Sequence, residues 1–130
     1  MVLRKQILTA VLVTALTSTV DAAASSQAWA VVKKGRTAGA GELALVGAIV
    51  RHPNRVAVRV IVSKPRTIAI SVVVSCRSGL KTGIGRGRLT GRAPYTKVVS
   101  LPIAGADNCA VSATGTNAAG TLKLVLLRSS

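Results

Sequence analysis

Beyond residue 28 the chain is patterned in period two. In 55–63, Val56, Val58, Val60 and Val62 fall on one side of an extended chain, and Arg55, Ala57, Arg59 and Ile61 on the other. In 67–76, Ile68, Ile70, Val72, Val74 and Cys76 share a face, opposed by Thr67, Ala69, Ser71, Val73 and Ser75. β-branched runs of this kind, cut at short intervals by Gly, Pro and Asn, predict strands, not helices. Seven or eight are expected, drawn from 29–33, 42–50, 55–63, 67–76, 84–90, 95–101, 109–114 and 121–127, the last two as a closing hairpin around 115–120. The run 43–50 is apolar on both sides and would also suit a short helix, but its neighbours are strands. Alternate glycines in 84–90 predict a weaker strand at a sheet edge.

The first 24 residues follow a different pattern. Arg4 and Lys5 precede an uncharged apolar stretch, 7–20, that Asp21 ends, and Ala22, Ala23 and Ala24 supply the small residues a signal peptidase requires. The stretch is shorter than the roughly 20 apolar residues of a spanning helix and is diluted by Thr and Ser. The expectation is a cleavable signal peptide over 1–24, cut after Ala22 or Ala24 with Ala30 as a more distant alternative, and one all-β domain over 25–130. No transmembrane segment is expected after its removal. Such a protein is secreted, extracellular or held in the cell envelope, where disulfides persist. Cys76 and Cys109, the chain's two cysteines, are then expected to pair. By parity Cys76 lies on the apolar face of its strand and Cys109 shares a face with Val111 and Ala113, so both thiols point inward.

The 68–76 strand, the 106–113 segment around Cys109 and the closing 109–127 stretch resemble small secreted bacterial β-sandwich domains of the immunoglobulin-like kind. The resemblance implies a Greek-key β-sandwich of seven to eight strands with one disulfide. It concerns architecture alone: Trp29 precedes both cysteines, where immunoglobulin domains place a Trp between them, and Asp107 stands where they place a Tyr. It carries no binding site across.

Charge adds what the strand pattern leaves open. Residues 25–130 hold sixteen Lys and Arg against Glu42 and Asp107, a net charge near +14. A surface so basic attracts polyanions. Between residues 77 and 97 stand Arg77, Lys81, Arg86, Arg88, Arg92 and Lys97 without one acid. Arg86, Arg88 and Arg92 project to the same side of an extended strand, with Gly85, Gly87, Leu89 and Gly91 on the other. The planar fork of Arg suits carboxylate, sulfate and phosphate, and charge on an edge strand also discourages sheet-to-sheet association. These six residues are the candidate polyanion-binding set, and an anionic cell-wall polymer or polysaccharide is the expected partner. Specific nucleic-acid recognition is not expected, because Tyr95 is the region's single stacking aromatic.

Catalysis finds little support. His52, the one His, stands beside Pro53 in an expected turn, and only Glu42 or Asp107 could orient it. One His and two Cys fall short of the four ligands of structural zinc. The glycines of 83–87 match no phosphate-loop spacing and no helix follows them. No cofactor is expected. The composition therefore points to a non-enzymatic cationic binding or structural module, with a cationic effector on anionic membranes and a small secreted inhibitor as alternatives.

Overall fold

The computed structural model describes residues 29–129. The segment expected as a signal peptide, with Ala22 and Ala24, lies outside them, whereas Ala30 is inside the first strand and pairs with Arg128. Eight strands follow in chain order: β1 (Trp29–Lys34), β2 (Leu43–Arg51), β3 (Arg55–Val62), β4 (Arg66–Ser78), β5 (Lys81–Ala93), β6 (Tyr95–Val99), β7 (Asn108–Thr116) and β8 (Leu122–Ser129). They form two four-stranded antiparallel sheets, ordered β1-β8-β3-β6 and β2-β7-β4-β5.

The alternation read from the sequence decides which side of each strand is buried. Ile68, Ile70, Val72, Val74 and Cys76 of β4 face inward, as do Val56, Val58 and Val60 of β3, and Leu122, Leu124 and Leu126 of β8. With no Phe available, these aliphatic side chains meet between the sheets as one core. β8 is apolar on its other side as well. There Val125 and Leu127 are buried with Ala57, and Trp29 packs against them.

That two-sided burial bears on two expectations that fail. A strand apolar on both faces belongs in the middle of a sheet, and β8 lies between β1 and β3. It therefore makes no closing hairpin with β7, which lies in the other sheet between β2 and β4. The connection crosses between sheets through buried Asn117, whose Nδ2 donates to the Thr121 carbonyl (3.1 Å) and whose Oδ1 accepts from Ala119 N–H (3.2 Å). The immunoglobulin-like order is likewise not the one observed. In that order the first and second strands are neighbours in one sheet, whereas here β1 and β2 belong to different sheets. The pairs β1–β8, β2–β7, β3–β6 and β4–β5 nest inside one another, which is the pairing of a jelly roll.

Among the described residues β4 and β5 make the one hairpin between strands consecutive in the chain, each 13 residues long and paired throughout. Gly79 opens its two-residue turn with φ 55°, a backbone angle such turns demand there. β5 lies at a sheet edge as expected, although it runs well past 84–90. Its inward side is nearly bare, and at several of its glycines other groups occupy the space. A Cβ at Gly91 would stand 3.1 Å from the Tyr95 ring, and one at Gly83 only 2.8 Å from the Ile103 side chain. Tyr95 reaches from β6 across to the other sheet, donating toward the carbonyls of Ile68 (3.2 Å) and Leu89 (3.4 Å). Burial raises its pKa above the ordinary tyrosine value.

Cys76 and Cys109 form the expected disulfide, S–S 2.08 Å. They are direct register partners on β4 and β7, both buried, so the bridge lies within one sheet and faces the core.

Candidate polyanion-binding face

Parity sends one set of alternates of β2, β7, β4 and β5 to the outer side of their sheet, and register lines them up in rows. Leu45, Thr114, Ser71 and Arg88 make one row; Gly47, Ser112, Val73 and Arg86 the next. Ile49, Ala110, Ser75 and Ile84 follow, then Arg51, Asn108, Arg77 and Thr82. Rows are spaced by two residues along a strand, roughly 6.6 Å, and neighbours within a row by about 4.8 Å.

Side-chain size gives this face its relief. The central strand β7 carries Ala110 and Ser112, with bulkier Ile49 on one flank and Val73 on the other. The result is a shallow trough along β7 of about 340 Å³. It continues past Ser75 and Ala110 into a hollow of about 400 Å³ reaching Arg77, Thr82 and Asn108. Arg51 and Arg77 flank Asn108 at that end, two strand spacings or roughly 10 Å apart. Arg86 and Arg88 stand along the β5 side, exposed to solvent. Ser71, Ser75, Ser112 and Thr114 supply hydroxyl groups that donate or accept. The β2 side is apolar instead, with Leu43, Leu45 and Ile49 turned outward and between 58% and 71% exposed.

The six basic residues singled out from the sequence do not all meet here. Arg77, Arg86, Arg88 and Arg92 share this face, Arg92 displaced toward a separate hollow with Lys64 and Arg66. Lys81 lies at the β4–β5 hairpin tip opposite Ser78. Lys97 belongs to the other sheet, its Nζ 5.8 Å from the centre of the Tyr95 ring. Arg51 joins the site although it lies just outside the strand expected over 42–50. Parity in an extended strand groups it with Leu45 and Ile49, but 43–50 is apolar on both sides, so the sequence did not say which way that group faces. Asp107 turns a carboxylate oxygen to the Gly79 N–H (3.5 Å), and Glu42 packs beside Gly39 before β2.

His52 occupies the β2–β3 turn with φ 47°. Its N–H donates to the Asp107 carbonyl (2.6 Å) and its own carbonyl accepts from Arg128 Nη2 (3.3 Å), backbone roles open to any non-proline residue. A left-handed backbone costs a side-chain-bearing residue about 1–2 kcal/mol, which glycine avoids while losing more chain entropy. His52→Gly is thus expected to keep or raise stability by up to about 1 kcal/mol. His52→Val, β-branched at the same angle, should lower it by about 1 kcal/mol or more, and urea denaturation of both variants measures the difference.

Among the described residues no three His, Cys, Asp or Glu side chains come together. No helix among them is long and apolar enough to cross a membrane. The fold and this face define a basic eight-stranded β-sandwich with a grooved outer sheet. No protein-family model, curated protein or solved structure matches the chain.

Proposed function

We propose that this chain is a secreted, non-enzymatic module that holds an acidic polymer of the cell envelope or extracellular matrix along the trough over β7. One observation carries the reading: Arg51, Arg77, Arg86 and Arg88 share the sheet face of a shallow, mainly apolar trough that includes the hydroxyls of Ser75 and Ser112, with no acidic side chain in its rows. An extended polysaccharide lying along β7 would bring its acidic groups to the guanidinium forks and its hydroxyls to Ser75, Ser112 and Thr114. The many charges elsewhere would steer it there at long range. The test is binding of an acidic polysaccharide compared with the same polymer after its carboxylates are reduced to alcohols. Saturable, salt-sensitive binding of the acidic form alone is the expected result, and equal binding of both forms overturns the reading.

The exposed Leu43, Leu45, Ile49 and Ile84 favour a second reading, since they put large apolar groups on the same face as the arginines. Cationic and apolar groups on one surface suit anionic membranes. Leakage of dye from anionic vesicles, absent from zwitterionic ones, would favour that effector role over polymer binding.

A further inference from the structure

At the open side of the sandwich, where β5 and β6 are both edge strands of facing sheets, a crevice of about 360 Å³ enters the core. Its floor is Val72, Val74 and Leu89, and Val99, Leu101 and Pro102 form its far wall. The near wall is missing for a reason visible in β5. Of the glycines on its inward side, Gly83 is covered by Ile103, Gly91 by Tyr95 and Gly85 by Pro102. Nothing lies within 4 Å of where a Cβ of Gly87 would be. The crevice is the unfilled position in that row.

We propose that this crevice binds the alkyl chain of a single-chain fatty carboxylate, its head group held at the mouth by Arg86. Three features select that occupant. The volume falls within the range of small-molecule sites, roughly 300–1,000 Å³. The lining between the sheets is aliphatic, which suits an unbranched chain. The one charged residue that borders the crevice is Arg86, which leaves β5 on its outer side and reaches the mouth only around this edge strand, and no acid stands between residues 77 and 97. A carboxylate at the mouth thus meets uncompensated positive charge, while the chain leaves water. The crevice opens on the inner side of β5 and the trough lies on the outer side of the sheet; Arg86 borders both, but the crevice proposal does not depend on the polymer reading.

The experiment is titration calorimetry of the oxidised protein with saturated carboxylates from hexanoate to dodecanoate, each below its micelle concentration. Affinity should rise about three- to fourfold per added methylene and level off once the crevice is full. Gly87→Leu places a side chain in the open space and should abolish saturable binding while the fold stays intact by circular dichroism. Gly87→Ala, the smaller filler, should weaken binding less. Arg86→Gln should weaken dodecanoate by roughly tenfold or more and leave dodecanol unchanged. Dodecanoate that binds wild type and folded Gly87→Leu equally, or binds with no dependence on chain length, overturns the proposal. Acidic-polymer binding by Gly87→Leu should match wild type, since the outer rows are untouched.

Discussion

Removing the disulfide with Cys76→Ala and Cys109→Ala together is expected to lower stability by about 2–5 kcal/mol. The two cysteines are 33 residues apart, and cross-linking a loop of that size removes entropy from the unfolded chain equivalent to about 3–4 kcal/mol in the chain-entropy picture. The bridge joins one of seven consecutive register pairs between β4 and β7, from Ser71↔Thr114 through Arg77↔Asn108, so backbone pairing on both sides of it also specifies the register. Its effect therefore lies mainly in the denatured ensemble. Urea denaturation should then show a lower midpoint together with a steeper dependence on denaturant, since the uncrosslinked chain exposes more surface on unfolding. Wild type unfolded in the presence of reductant should behave like the double variant. A small domain with a total stability of about 5–15 kcal/mol is left with a narrow margin. Equal midpoints for oxidised wild type and variant would show that the bridge constrains nothing the strand pairing does not already hold.

The inward and outward faces of β3 and β4 were legible because their alternation is strict, and Cys76 inherited its orientation from the same rule. The edge position of β5 was legible too, since alternate glycines leave one side of a strand with little to pack. Partner choice was not. β1 pairs with β8 from the far end of the chain, and nothing in 29–34 or 122–129 names the other. The immunoglobulin-like expectation failed at this step, because strand pattern and cysteine parity suit several sandwich topologies equally. The run 43–50 illustrates a second limit: it is apolar on both sides, so periodicity alone could not decide its face. Ala44, Val46 and Val50 went inward, leaving Leu43, Leu45 and Ile49 in solvent. The candidate site divided along the same line. Arg86 and Arg88 were grouped by spacing within one strand, whereas Arg51 and Arg77 meet around Asn108 only through the registers of two long-range pairings. Lys97 left the group because β6 crosses to the other sheet.

Replacing Arg77, Arg86 and Arg88 together by Gln is expected to flatten the salt dependence of polyanion binding far more than removing the same charge elsewhere. Duplex DNA serves as a reporter of known charge spacing, with log Kd followed against log salt. Each phosphate-contacting charge contributes roughly 0.9 to the slope through release of condensed counterions, so losing three contacts should cut it by about two to three. The matched control is Arg55, Arg59 and Lys123 to Gln, which lie on the outer face of the opposite sheet, along β3 and β8. Both triple variants carry the same net charge, so long-range steering falls equally in the two. Only direct contacts distinguish them. The control is therefore expected to change the slope by less than about one. Sequence preference should be absent in all three proteins, because phosphate contacts position a polyanion without reading bases. If the two triples flatten the slope equally, binding is a property of overall charge, and the arginines of β5 serve to keep an exposed edge from pairing with another sheet. If the trough variant alone loses slope, the outer face of β2-β7-β4-β5 is the binding surface, and Arg51→Gln added to it should remove about one further unit.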